Sequence, residues 1–335
     1  METIDIHFEE NLYRVPRGVS LLDSLQEAGA KIPASCRAGV CQSCLMQSID
    51  LAPPPHSQKD LSHEKKKQGY FLACQCLPVE PMKVRLADEA VPSFDAVVVE
   101  RSHLSSDILL VRFRRPPAFE FYAGQYVNFF GPHDLVRSYS IASLPGERDF
   151  FDIHVRQIPG GKMTGWFFNE CVPGARLRMT APRGDCCYLP DSEDPPFLLV
   201  GIGTGVAPLQ AIAREALMVG KQSAIYFYQG ALNPERLYYR QELRSLANTS
   251  TQFFYDEVVL NGTSGGCRNG HVTEVLMQDF EKIKRCKVYL CGDAGVVGTI
   301  RKKLFLAGIS MNRIKADAFV SAPPQKERDS NERRT

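Results

Sequence analysis

Cys36, Cys41 and Cys44 stand in the spacing C-x4-C-x2-C, and Cys74 follows after 29 intervening residues. Thiolates ligate soft metals, and this is the spacing with which four sulfurs reach the two irons of a plant-type [2Fe-2S] centre. The small residues Ala38, Gly39 and Ser43 let backbone N–H groups approach those sulfurs. Zinc prefers paired C-x2-C knuckles, and only Cys41 and Cys44 make one nearby. In Cys74-Gln75-Cys76 either cysteine could serve as the fourth ligand.

Other segments suit phosphate and flat rings. In Arg137-Ser138-Tyr139-Ser140 an arginine fork can donate two hydrogen bonds to a diphosphate, and a tyrosine offers a flat face. His154-Val155-Arg156 follows, then Pro159-Gly160-Gly161-Lys162-Met163-Thr164, where a helix should open with free N–H groups suited to an anion. Gly201-Ile202-Gly203-Thr204-Gly205-Val206-Ala207-Pro208 lies between an apolar strand and a helical run, as a dinucleotide-binding turn would. Cys291-Gly292 ends another apolar strand, and Ala316-Asp317-Ala318-Phe319 stands near the C-terminus. Singly, each also reads as an ordinary turn, strand or core aromatic.

The elements that must carry these residues divide the chain into modules. With 335 residues it is long for one hydrophobic core. Residues 3–15 alternate like a hairpin around Asn11, Ser20 opens a helix with Asp23 three residues on, and Gly29 ends it. Short strands at 45–51, 70–74 and 82–86 complete a small α+β module over 1–88. A linker at 87–93 leads to strands at 95–101, 108–114, 125–130 and 151–156 between Gly and Pro turns, which predict an antiparallel β-barrel over 94–190. Strands at 197–200, 224–229, 252–260 and 288–291 then alternate with helices at 206–219, 239–246, 272–280 and 295–306. That is a parallel α/β sheet over 195–320. Residues 321–335 form a charged tail, expected to be disordered.

Net charge is +2, from 40 basic and 38 acidic residues, which gives no reason to expect nucleic acid as a partner. No uninterrupted apolar run is long enough for a membrane span, and the charged start does not read as a secretory signal. Eleven cysteines, an odd number in a chain this long, argue against a disulfide framework; a cytoplasmic protein is expected. Lys65, Lys66 and Lys67 read as a solvated helix face.

Residues 1–87 resemble a plant-type ferredoxin with a β-grasp fold, and 95–320 resemble the ferredoxin-NAD(P) reductase family. The fused order is similar to the reductase components of bacterial ring-hydroxylating dioxygenases and related oxygenases. The resemblance implies that Cys36, Cys41, Cys44 and Cys74 bind the cluster, Cys74 being the first cysteine of Leu72-Ala73-Cys74-Gln75-Cys76. It implies that Arg137, Ser138, Tyr139, Ser140, His154, Gly161, Lys162, Met163 and Thr164 bind FAD, with Arg137 on its pyrophosphate and Ser140 near its N5. Gly203, Thr204, Gly205, Gly292 and Asp293 would bind the nicotinamide dinucleotide, while Ser140, Cys291 and Phe319 would flank the reacting rings. Asp293-Ala294-Gly295-Val296-Val297 departs from the family, which usually has a proline and a methionine after Cys-Gly. No Arg or Lys follows the strand ending at Gln229-Gly230-Ala231-Leu232 until Arg236, which favours NADH over NADPH. The implied activity carries electrons from NADH through FAD and the cluster to a protein acceptor, such as a terminal oxygenase or its ferredoxin. Alternatives are a reductase for deoxysugar formation and a non-enzymatic iron-sulfur carrier or redox sensor.

Overall fold

Ile4, Ile6 and Phe8 are buried on one side of β1 (Thr3–Phe8), as the two-residue period of a strand requires. β1 pairs antiparallel with β2 (Asn11–Pro16). Asn11 is the first residue of β2 and not the turn expected there. The Phe8–Asn11 pair closes the ladder, which leaves Glu9 and Glu10 as a two-residue turn with Glu9 at φ 54°. The computed structural model describes residues 2–39, 41–59, 61, 63–87, 93–132, 135–190, 193–262 and 265–320. The expected tail at 321–335, and residues 88–92 of the expected linker, lie outside these.

α1 (Leu21–Glu27) starts where Ser20 accepts from the Asp23 N–H at 3.1 Å and its hydroxyl donates to the Asp23 carboxylate at 2.6 Å. Gly29, at φ 92°, stops it. Leu21, Leu22 and Leu25 bury against a mixed sheet of order β2-β1-β5-β3-β4, made with β3 (Leu45–Ser48), β4 (Tyr70–Leu72) and β5 (Met82–Leu86). α2 (His63–Lys67) has no buried residue and carries the three lysines.

A second sheet is wholly antiparallel, in the order β10-β7-β6-β11-β8-β9. Its strands are β6 (Ser93–Ser105), β7 (Ile108–Arg114), β8 (Tyr126–Phe130), β9 (Val136–Ser140), β10 (Phe150–Arg156) and β11 (Arg176–Thr180). The Ile141–Ile153 bridge joins its two edges, which curls the sheet toward a barrel. Phe113, stacked on Phe129 at 4.9 Å and on Phe151 at 5.2 Å, fills it. Met163 and Phe167 of α3 (Lys162–Asn169) enter the same core.

The third sheet is parallel, in the order β15-β14-β13-β12-β16-β17. Its strands are β12 (Phe197–Ile202), β13 (Ile225–Ala231), β14 (Phe253–Val259), β15 (Arg268–Asn269), β16 (Lys287–Asp293) and β17 (Ile314–Phe319). α4 (Val206–Met218) and α5 (Arg240–Thr249) cover one face. α6 (Val272–Gln278), α7 (Phe280–Ile283) and α8 (Ala294–Leu306) cover the other. The single helix expected at 272–280 is divided because Asp279 leaves helical geometry, its carboxylate engaged by Tyr228 and Arg268. β15 and β17 were not expected, since neither segment shows a strand's full apolar alternation. The chain enters the sheet at β12, builds outward to β15 and returns to β16, so the order reverses between β12 and β16. In open α/β sheets ligands bind at such a switch point, outside the carboxyl ends of the strands.

The described chain forms two compact units, one ending at Ala87 and the other reaching Phe319; the antiparallel and parallel sheets share the second. Ser20→Ala is expected to cost about 1 kcal/mol of stability by loss of the helix cap, seen as a lower urea midpoint in circular dichroism of the whole chain.

Candidate functional site

In the first unit, residues 36–39 and 41–44 lie between α1 and β3 and carry three of the four cysteines. Cys36 is hydrogen-bonded to Cys41, and Cys44 to Cys74. Each pair titrates as one unit: the hydrogen bond from Cys36 holds the Cys41 thiol below the ordinary value, and that from Cys44 does the same for Cys74. The charge on Cys41 reaches both members of the other pair. Among the described residues no three His, Cys, Asp or Glu side chains converge on one ion-sized point. Two thiol pairs side by side suit two irons with two sulfurs each.

The three small residues do what their size allows. Ala38 N–H donates to Cys36 Sγ at 3.3 Å, and backbone N–H groups of Ser43 and Gly39 donate to Cys41 and Cys74. The buried Ser43 hydroxyl lies against the Cys41 sulfur and helps to lower that thiol. Such donors stabilise thiolate charge and a bound cluster alike. Cys76 is fully buried in the apolar core, where burial pushes its thiol up to about 12, while Cys74 is the cysteine bonded to Cys44. Arg37 and Gln42 hold left-handed backbone, at φ 53° and 52°. Arg37 is tied to α1 by an ion pair with Asp23 and a 2.5 Å bond to Gln26, and Gln75 donates to its carbonyl at 3.2 Å.

In the second unit, Arg137 to Ser140 lie on β9, the edge strand beside β8. Ser138 donates to the buried Asn128 side chain at 2.6 Å. Tyr139 packs edge-on to Phe167 at 5.1 Å and remains partly exposed. Arg137 bonds its neighbour's carbonyl, and among the described residues no carboxylate pairs with it. α3 begins after Gly161 with no side-chain cap, as the spacing predicts, which leaves its first N–H groups available. Lys162 is exposed there, and Thr164 bonds back to the Gly161 carbonyl at 3.2 Å. Met163 differs: its side chain is a core residue, so only its backbone faces the helix mouth. His154 is buried and bonded to the Tyr238 hydroxyl at 3.1 Å, and burial lowers its imidazole to about 3. It is neutral and joins β10 to the parallel sheet's side of the unit.

At the switch point, the Gly203-Thr204-Gly205 turn lies on the backbone of Cys291 and Gly292. A Cβ on Gly205 would collide with the Cys291 carbonyl, and one on Gly292, at φ 129°, with that of Ile202. Gly203 lies beneath the Arg156 guanidinium. Asp293 caps α8, accepting from Gly295 and Val296 N–H at 3.0 Å each. The departure after Cys-Gly therefore has a local reason: aspartate starts the helix by its side chain. Phe319 is partly buried opposite Asp293.

Asp317, on β17 directly opposite Cys291, had no assigned role in the sequence reading. Ser140 of β9 hydrogen-bonds its carboxylate, so edge strands of two sheets meet there. Burial pushes the carboxyl up to about 6 against the pull of that bond. No local signal marks the pair, for the two residues are remote in sequence.

A thiol quartet, a barrel edge with an open helix N-terminus and a nucleotide-type switch point define an iron-sulfur flavoprotein oxidoreductase. Residues 6–79 match the 2Fe-2S iron-sulfur cluster binding domain, 95–188 the oxidoreductase FAD-binding domain and 199–302 the oxidoreductase NAD-binding domain. The chain is 31% identical to the ferredoxin–NAD(P)+ reductase component of the naphthalene 1,2-dioxygenase system of Pseudomonas putida, over 90% of this chain and 94% of that protein. It is also 31% identical to the reductase subunit of an aromatic O-demethylase from an Amycolatopsis species, over 91% and 95%. The crystal structure of the Amycolatopsis cytochrome P450 reductase GcoB superposes with a TM-score of 0.69 at 28% identity, covering 96% of this chain and 99% of that one. The chain belongs to the family of ferredoxin–NAD(P)+ reductase components of oxygenase systems, NAD(P)H oxidoreductases with FAD and a 2Fe-2S cluster. No helix among the described residues is long and apolar enough to cross a membrane.

The Asp317 carboxyl sits above its unfolded value of 3.8, so the folded chain holds the extra proton between about pH 4 and pH 6, and stability falls as pH rises through that window. Asp317→Asn removes the penalty. Its unfolding free energy from urea titration should rise relative to the unaltered chain between about pH 4 and pH 7, by at most about 3 kcal/mol.

Proposed function

We propose that the chain is the NADH-dependent reductase for a terminal oxygenase or a comparable protein acceptor. The observation that carries this reading is the meeting of Ser140, Asp317 and Cys291 from β9, β17 and β16, at the switch point of the nucleotide sheet. When bound, the flavin supplies the exchange between the two electrons of a nicotinamide and the single electrons of an iron-sulfur cluster. Naphthalene dioxygenase and aromatic O-demethylase systems, in which the two relatives serve, suggest the kind of acceptor.

In this reading Cys36, Cys41, Cys44 and Cys74 hold the cluster, within a module spanning 1–88. Arg137 and the open N-terminus of α3, at Gly161, Lys162, Met163 and Thr164, hold the FAD phosphates in a module spanning 94–190. Ser138 and His154 hold its frame, and Tyr139 supports the ring. Gly203, Thr204, Gly205, Gly292 and Asp293 cradle the dinucleotide in a module spanning 195–320. Ser140, Cys291 and Phe319 line the place where the two rings stack, with Phe319 as the removable cover. Asp317 orients the Ser140 hydroxyl and, with its carboxyl raised to about 6, can hold a proton near neutral pH.

NADH is favoured because the arginines beyond the second and third strands are already engaged. Arg236 pairs with Asp107 at 2.5 Å, Arg240 and Arg244 both pair with the buried Glu257, and Arg268 pairs with Asp279. A 2′-phosphate would have to displace one of these carboxylates. Eleven cysteines, all free, suit a reducing cytoplasm.

Cys41→Ser should keep NADH–ferricyanide activity and abolish cytochrome c reduction, measured on protein with normal flavin content; equal loss of both would contradict this electron order. Arg137→Ala should shed flavin during gel filtration, and its loss can be followed by recovery of Trp166 fluorescence, since Trp166 is the chain's single tryptophan and lies on α3. Unchanged flavin content would remove Arg137 from the site.

A further inference from the structure

Cys186 follows the antiparallel sheet, in the segment that leads to β12, and belongs to none of the motifs. Its backbone is fixed by close packing: a Cβ on Gly124 would lie 2.5 Å from the Cys186 carbonyl, and Tyr188 N–H donates to Ala123 at 2.8 Å. Its sulfur stands 3.7 Å from Cys291 Sγ and 4.0 Å from the Leu290 carbonyl, and both thiols are buried and unbridged. Cys291 is held as a thiol, since burial foremost and then the bond to Cys186 raise it well above the ordinary value. The Asp317 N–H donates to the Cys291 sulfur. A consistent set of directions follows: Cys291 S–H donates to Cys186, and Cys186 S–H donates to the Leu290 carbonyl.

We propose that Cys186 is a positioning residue for hydride transfer: by accepting the Cys291 hydrogen it holds that buried thiol in one orientation at the end of β16. This rests on the reading that Cys291 flanks the nicotinamide. Cys186 also packs in an apolar cluster with Ile108, Ala123 and Leu209, so filling space is the rival role. The two roles separate by substitution. Valine keeps the bulk and loses the acceptor; serine loses some bulk and keeps both donor and acceptor.

The experiment uses the holoprotein, reduced by NADH in anaerobic stopped flow, with the long-wavelength charge-transfer absorbance recorded together with the rate. The infrared S–H stretch of Cys291, assigned by its loss in Cys291→Ala, reads the hydrogen bond without turnover. Cys186→Val should slow reduction about fivefold, the scale of one weak hydrogen bond, with NADH affinity unchanged, a weaker charge-transfer band and an S–H stretch shifted to higher frequency. Cys186→Ser should restore the rate to within about twofold of the unaltered protein. A valine variant that equals the unaltered protein in rate and S–H frequency overturns the proposal, as does a serine variant as slow as valine. If Cys291→Ala is itself reduced at the full rate, the underlying reading of Cys291 fails and takes the proposal with it. An impaired Cys291→Ala beside a full-speed Cys186→Val sinks the proposal alone.

Discussion

A carboxylate that has lost most of its water must find a partner or keep its proton, and Asp317 does some of both. Its partner, the Ser140 hydroxyl, stands on the edge strand of the antiparallel sheet, while Asp317 stands on the edge strand of the parallel one. One hydrogen bond thus ties together an edge strand of the antiparallel sheet and an edge strand of the parallel one. The His154–Tyr238 bond and the Asp107–Arg236 ion pair make further ties within the same unit. Apolar packing joins the two sheets as well, Ile108 and Ala123 lying in one cluster with Leu209 and Ile212, and the polar contacts add directions that apolar packing alone does not fix.

Close approach of main chain to main chain completes the arrangement. Gly205 and Gly292 allow the turn after β12 to lie on the end of β16, and no larger residue fits at either place without moving a carbonyl. The price is paid in glycine's backbone entropy. What it leaves is the end of β16, with Cys291 and Gly292, held directly against the turn after β12.

Most of this could be read from the residues. The cysteine spacing pointed to the quartet because ligation constrains spacing strongly, and the βαβ alternation pointed to the parallel sheet because its strands are buried on both faces. Three things could not be read so. Spacing alone does not choose between Cys74 and Cys76; in the fold Cys74 is bonded to Cys44, while Cys76 is fully buried in the core. The Asp317–Ser140 bond depends on how two sheets pack, which no local pattern encodes. Asp293 looked like a misfit after Cys-Gly because the comparison was made by residue type, whereas its function in the fold is the cap of α8. Met163 stands in the first turn of α3 by its backbone, while its side chain belongs to the barrel core.

The loop that holds Cys36, Cys41 and Cys44 is not self-sufficient. Its left-handed turn at Arg37 is braced by Asp23 and Gln26 of α1 and by Gln75, which lies beyond β4. Anyone grafting the cysteine loop into another scaffold must therefore carry the helix and the distant glutamine with it. At Gln42 a graft should accept glycine or asparagine and reject valine or isoleucine, whose branched side chains resist the left-handed backbone.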